Sequence, residues 1–231
     1  MAKDTEKEAA ATKALDYIKD GYVVGLGSGS TAAIMIRLLG RRVAEGLRIT
    51  GIPSSAATKE LAESHGIKVK NLSEVGHIDV NIDGADAFDE QLRLIKGGGG
   101  ALLHEKIVAS ASSRNIIIAD SSKFTQYLNQ AYRLPIETIP MASDLIAERL
   151  EKAEFSPRRR KNGRHSFLTQ EGNHIIDLDI GHFRDLDDLD RQLHAIPGVV
   201  ETGLFLNYTH LVIMGEGSGT RIFERKAGMM G

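Results

Sequence analysis

Tyr22-Val23-Val24-Gly25-Leu26-Gly27-Ser28-Gly29-Ser30-Thr31-Ala32-Ala33-Ile34-Met35-Ile36 is the stretch whose reading decides the fold. Its first five residues read as a strand, and residues 32–39 set apolar side chains at helical spacing. Between them glycines alternate with hydroxyl residues. Strand, glycine–hydroxyl loop, helix is an arrangement that offers backbone N–H and hydroxyl donors to a phosphate. Gly27, Ser28, Gly29, Ser30 and Thr31 are therefore candidate phosphate-binding residues. The plainer alternative is a βα turn with helix-capping serines.

Two better-known loops fit poorly. A dinucleotide fingerprint starting at Gly25 would need a third glycine where Ser30 stands, and Glu45 precedes the next strand instead of ending it. A P-loop needs a lysine after its last glycine, where Ser30 again stands.

Upstream, Thr5-Glu6-Lys7-Glu8 matches a capping box, and the alanine-rich run to Asp20 stops at Gly21, which predicts an N-terminal helix. Downstream, Leu47-Arg48-Ile49-Thr50-Gly51-Ile52 reads as a second strand and 58–65 as a helix closed by Gly66. Ile67-Lys68-Val69, Ile78-Asp79-Val80-Asn81-Ile82 and Asn115-Ile116-Ile117-Ile118-Ala119-Asp120 continue the strands, with a helix over 101–112. Repeated βα units predict an α/β fold: a Rossmann-like parallel sheet with helices on both faces, binding ligands at the carboxyl ends of its strands. From Tyr132 the pattern changes to strand, helix, two strands around Thr169-Gln170-Glu171-Gly172-Asn173, and a helix stopped by Pro197-Gly198. That order predicts a smaller α+β (ferredoxin-like) domain. Strands at Thr202-Gly203-Leu204-Phe205-Leu206 and Leu211-Val212-Ile213-Met214 then return the chain. The expected division is 1–131 with 204–231 for the α/β domain and 132–203 for the small one.

The densest chemistry lies in Val80-Asn81-Ile82-Asp83-Gly84-Ala85-Asp86 and Leu94-Ile95-Lys96-Gly97-Gly98-Gly99-Gly100-Ala101-Leu102-Leu103-His104-Glu105-Lys106. Two carboxylates end a strand, a lysine follows, and four glycines let a ligand approach backbone N–H groups. Glu105 has Ala101, Leu102, Val108 and Ala109 as its helical neighbours. On such an apolar face desolvation raises a carboxyl pKa toward neutrality, as a general base requires, while Lys96 opposes the shift. A structural ion pair is the alternative. Asp83-Gly84 alone also reads as a hairpin turn. Asp83, Asp86, Asp89 and Glu90 could be metal ligands, although their spacing is not that of a calcium loop.

The chain has 231 residues with 29 basic and 31 acidic, a formal charge of −2, and no cysteine. This balance gives no electrostatic reason to expect nucleic acid or membrane binding, and the missing cysteines exclude disulfides and thiolate chemistry. With no signal peptide and no long apolar run, a cytoplasmic protein acting on a small molecule is expected. The one basic cluster, Arg158-Arg159-Arg160-Lys161, reads as a solvated strand or loop ahead of a polyanion site. Among the histidines only His104 falls near the candidate site.

The chain resembles the ribose-5-phosphate isomerase A family at Gly25-Leu26-Gly27-Ser28-Gly29-Ser30-Thr31, Asp83-Gly84-Ala85-Asp86, Lys96-Gly97-Gly98-Gly99-Gly100-Ala101-Leu102, Glu105-Lys106-Ile107-Val108 and Ala195-Ile196-Pro197-Gly198-Val199-Val200. The resemblance implies interconversion of ribose 5-phosphate and ribulose 5-phosphate through an enediol(ate), without metal or cofactor, in a homodimer or homotetramer. Carried over by position, Glu105 moves the proton between C1 and C2, and Asp83 assists ring opening and proton traffic. Lys96 stabilises the enediolate oxygen, and Asp86 holds sugar hydroxyls. Gly97, Gly98 and Gly99 bind substrate, while Ser30, Thr31, Lys123 and Lys7 hold the phosphate or orient the sugar. Two departures stand near the site. The family often has Thr at position 28, and it commonly has Glu after the second aspartate, where this chain has Ala87-Phe88. That role is lost or passes to Asp89 or Glu90. A third, in the 169–173 turn, is expected to lie far from the site. A competing class is a sugar-phosphate-sensing module, which would usually be fused to a DNA-binding helix-turn-helix; none precedes the first strand.

Overall fold

A computed structural model of the chain describes residues 2–181 and 183–225. In chain order the first part holds α1 (Ala2–Ala14), β1 (Val23–Leu26), α2 (Gly29–Ala44), β2 (Thr50–Pro53), α3 (Ala56–Ser64), β3 (Val80–Asp83), β4 (Ala87–Phe88), β5 (Leu94–Ile95), α4 (Leu102–Ser110), β6 (Asn115–Asp120) and α5 (Leu128–Ala131). The second holds β7 (Leu134–Thr138), α6 (Ser143–Lys152), β8 (Arg158–Arg159), β9 (Lys161–Asn162), β10 (His165–Ser166), β11 (His174–Leu178), α7 (Leu186–His194) and β12 (Val199–Thr202). β13 (Leu204–Phe205), β14 (Leu211–Glu216) and β15 (Gly219–Glu224) follow.

The main sheet runs β15-β14-β6-β3-β1-β2, with every pairing parallel except that of β14 with β15. Asn115-Ile116-Ile117-Ile118-Ala119-Asp120 is buried throughout because side chains alternate between two covered faces. Ile116 and Ile118 join Val24, Leu26, Ile82 and Ile213 under α1 and α2. Ile117 and Ala119 face the other way, into a core with Ala109 of α4, Phe88, Leu94 and Phe205. That second face is covered partly by α4 and partly by a three-stranded antiparallel ribbon, β13-β5-β4. The predicted α/β sheet with helices on both faces is thus present.

The small unit is a four-stranded antiparallel sheet, β12-β7-β11-β8, whose core includes Ile146 and Leu150 of α6 and Leu189 and Leu193 of α7. The same core takes in Ala87, Ile95, Leu204 and Leu206, so the ribbon joins it to the main sheet. Among the described residues no helix is long and apolar enough to cross a membrane.

Three local expectations change. α1 begins at Ala2, so Thr5 lies in its first turn instead of capping it, and the Glu6 carboxylate turns to Ser121 and Gly217. The second strand is shifted to Thr50–Pro53. Ile67-Lys68-Val69 contributes only an isolated bridge, Val69 with Gly51, at the edge beyond β2, where pairing is limited to Gly51 N donating to Lys68 O and Lys70 N to Gly51 O. The C-terminal limit expected for the α/β part runs into residues 226–231, which lie outside the described residues.

Candidate active site

β1, β3 and β6 are neighbours in the sheet, so the loops at their carboxyl ends converge. β3 ends in Asp83, 2 % exposed, directly beside the loop that follows β1. Its Oδ1 accepts from the backbone N–H of Ser28 at 3.0 Å and of Gly84 at 2.7 Å. A Cβ on Gly27 would stand 2.1 Å from Asp83 Oδ1 and 2.4 Å from its Cα, so only glycine lets these two strand ends meet. Thr58 Oγ1 at the start of α3 braces the loop by donating to Gly27 O at 3.1 Å.

Lys96 follows β5, whose pairing with β13 fixes its backbone: Lys96 N donates to Gly203 O at 2.9 Å. The ammonium is buried and reaches Gly84 O, Asp83 Oδ2 at 3.0 Å and Glu105 Oε2 at 3.4 Å. Burial works against its charge, but Asp83 and Glu105 outweigh this and hold the lysine pKa well above its ordinary value. Phe205 lies under the ammonium at 5.6 Å from the ring centroid.

Glu105 sits in the first turn of α4 with only 5 % of its surface exposed. Ser28 Oγ donates to its Oε1, while Oε2 is buried with no hydrogen-bond partner. Burial pushes its pKa up to about 7, against the pull of Lys96 and with the help of Asp83. A carboxylate poised near neutrality beside a fixed cation is equipped to take and return a proton next to a carbonyl.

These groups border a cleft of about 140 Å³ lined by Ser28–Thr31, Gly84–Asp86, Lys96–Gly99, Glu105 and Lys123. At one end α2 opens with Ser28 as its N-cap, leaving first-turn N–H groups for an anion. Lys7 reaches in from α1 and donates to Ser30 Oγ at 3.1 Å. Lys123 comes from the turn after β6 and has no ion-pair or hydrogen-bond partner among the described residues. Glu6 ties that turn to α1 by accepting from Ser121 N at 3.1 Å and Oγ at 2.8 Å. Those bonds, Ser121's hydroxyl first, hold the Glu6 carboxyl below its usual range. At the other end Asp86 Oδ2 accepts from Gly98 N at 2.7 Å.

The structure therefore brings together the fourteen residues singled out in the sequence, with two differences of orientation. The Ser28 hydroxyl is turned onto Glu105 instead of toward the end of the cleft at the start of α2, and Asp83 lies behind the cleft wall, holding Lys96. Two of the open alternatives find no support in the geometry. Asp83-Gly84 closes no hairpin. The acidic residues do not converge: Asp89 caps its own turn, accepting from Gln91 N, Arg93 N and Arg93 Nε, and Glu90 is exposed. Asp89 thus takes over nothing from the acidic position replaced by Ala87-Phe88, and Phe88 packs against Phe124 and Phe223.

Two expectations are corrected. The 169–173 turn is not remote: Gln170 accepts from Ala56 N and contacts His104, whose other ring nitrogen meets Glu171 at 2.7 Å. With Leu168 and Thr169 it lines a larger cavity, about 390 Å³, that also touches Ser28, Gly29 and Gly99. The basic run is not uniformly solvated either, because Arg160 is bonded to the glycine loop. Sequence reasoning missed Arg160, since its contacts lie more than sixty residues away.

The family model for ribose 5-phosphate isomerase A (phosphoriboisomerase A) matches residues 50–219. The chain belongs to the ribose 5-phosphate isomerase A family. A ribose-5-phosphate isomerase A of Parvibaculum lavamentivorans is 44 % identical, with 97 % of this chain and 100 % of that protein covered. One of a Ruegeria species is 47 % identical over 94 % of this chain and 85 % of that protein. A solved D-ribose-5-phosphate isomerase in complex with phospho-erythronic acid superposes with a TM-score of 0.94 at 39 % identity, covering 97 % and 100 % of the two chains. The Methanocaldococcus jannaschii ribose 5-phosphate isomerase A gives 0.90 at 35 %, covering 96 % and 99 %. This protein is an enzyme of that family, an isomerase.

Proposed function

We propose that the isomerase interconverts D-ribose 5-phosphate and D-ribulose 5-phosphate through an enediol(ate), with Glu105 as the general base. The observation that carries this is the Glu105 carboxylate itself, buried, one oxygen held by Ser28 and the other without a hydrogen bond beside Lys96. Glu105 takes the C2 proton of the open-chain aldose, the C–H electron pair forms the C1–C2 double bond, and the carbonyl electrons move onto O1. The Lys96 ammonium stabilises that oxygen. The O2 proton then passes to O1, and Glu105 returns its proton to C1 to give the ketose.

Asp83 supports this by fixing Lys96; its contacts favour that role over the ring-opening role the resemblance implied. Asp86 and Gly97–Gly99 hold the sugar hydroxyls and oxygens. The start of α2, with Ser30, Thr31, Lys7 and Lys123, holds the phosphate. A solved relative binds phospho-erythronic acid, whose planar anionic carboxylate resembles an enediolate, and that likeness supports a phosphosugar in this cleft. The expected cytoplasmic location and the division into 1–131 with 204–231 and 132–203 belong to the same proposal. Exposed Met141 and Leu145 offer apolar surface for a homodimer or homotetramer; light scattering giving the mass of one chain would contradict that.

The test is ribulose 5-phosphate formation by the wild-type protein. Turnover is expected. Binding of the phosphosugar without turnover would leave a sensing module in its place.

A further inference from the structure

We propose that Arg160, on the small unit, is a positioning residue for the isomerisation, acting through the peptides of the glycine loop; the inference rests on the function proposed above. Arg160 Nη1 donates to two successive carbonyls, Gly97 O at 2.7 Å and Gly98 O at 3.0 Å. The other edge of the guanidinium is held by Asp177, with Nε to Oδ2 at 3.0 Å and Nη2 on Oδ1. Phe167 lies 5.7 Å from the guanidinium, and its ring packs where a Cβ on Gly100 would stand. The side chain is 15 % exposed, so this is a built contact and not a surface pairing.

In a planar trans peptide the C=O and the following N–H point in opposite directions. Drawing Gly97 O toward Arg160 therefore aims Gly98 N–H away from it, and that N–H meets Asp86 Oδ2 at 2.7 Å. By the same geometry, drawing Gly98 O toward Arg160 aims Gly99 N–H into the cleft that Gly99 lines. Among the described residues Gly99 N–H has no acceptor, and beyond Gly99 and its two chain neighbours no atom lies within 4 Å of where a Gly99 Cβ would be. Arg160 thus presents one free backbone donor to a substrate oxygen and orders a second on Asp86. Glycine peptides have no side chains to hold them in either orientation, so the clamp from outside the loop does that.

The experiment compares wild type, Arg160→Ala and Arg160→Lys by steady-state kinetics and by amide hydrogen exchange at Gly98 and Gly99. Arg160→Ala is expected to lower kcat roughly tenfold to a hundredfold, with KM changed by less than about threefold and faster exchange at the Gly98 amide, which Asp86 protects, while the unbonded Gly99 amide serves as the fast-exchanging reference. Arg160→Lys should share the defect, because one ammonium cannot span two carbonyls and Asp177. If Arg160→Ala does not fold, Arg160→Lys with Asp177→Asn decides, with the same kcat loss expected in each. A kcat within about twofold of wild type in the folded variants, or full restoration by lysine, overturns the proposal. Inactive wild-type protein would reject the isomerase reading instead, and the exchange rates would then decide whether Arg160 orders the loop.

Discussion

At the scale of single residues, the proposed reactivity rests on how Glu105 is desolvated. Burial pushes its pKa up to about 7, and its basic form is the ionised one. kcat/KM, which reports the free enzyme, should therefore rise with pH through about 7 and level off above it. A profile already flat from pH 5 to 8 would contradict the assignment. The Ser28 hydroxyl bond lowers the Glu105 pKa, so Ser28→Ala should move that midpoint upward; an unmoved midpoint would show that the bond is absent in solution. Lys123 has no protein partner among the described residues, so Lys123→Ala should raise KM with little change in kcat. An unchanged KM would remove it from the phosphate end. Much of this was legible in the sequence, because apolar neighbours at three and four residues predict a desolvated glutamate from helix geometry alone. The Ser28 orientation was not, since a hydroxyl at a βα turn can face either the ligand or the next helix.

At the scale of elements, the strands were read well where both faces are buried. A continuous apolar run such as Asn115-Ile116-Ile117-Ile118-Ala119-Asp120 leaves a parallel sheet as its main explanation. Edges were read poorly. Ile67-Lys68-Val69 has strand composition but lies beyond β2, and β15 carries exposed polar residues that give a weak pattern. The capping-box match at Thr5 failed because α1 already begins at Ala2; Glu6 instead bonds Ser121 and Gly217 and so ties α1 to the turn bearing Lys123. The meeting of β1 and β3 yields a sharp prediction. Gly27→Ala puts a methyl 2.4 Å from Asp83 Cα, which is backbone and cannot swing aside. It should lower both Tm and activity, and a variant with wild-type kcat and Tm would show that the strand ends do not meet this closely.

At the scale of the whole molecule, the site is made by two units together. The main sheet supplies Asp83, the ribbon supplies Lys96, α4 supplies Glu105, and the small unit supplies Arg160 and the 168–171 segment. The first three were visible as motifs because each lies in a dense local run. Arg160 was hidden because its partners are reached only once the second sheet folds back over the glycine loop. Since the cation beside Glu105 is Lys96, activity should survive treatment with EDTA; a loss restored by added divalent cation would contradict this.

The central claim is that Glu105 carries the proton. Its most direct measurement is ribulose 5-phosphate formation by Glu105→Gln, set beside calorimetric binding of ribose 5-phosphate to the same variant. Loss of a general base should slow turnover by roughly a hundredfold to ten-thousandfold, while binding stays close to that of the wild type. Turnover near the wild-type rate in a variant that binds the sugar phosphate normally would contradict the account.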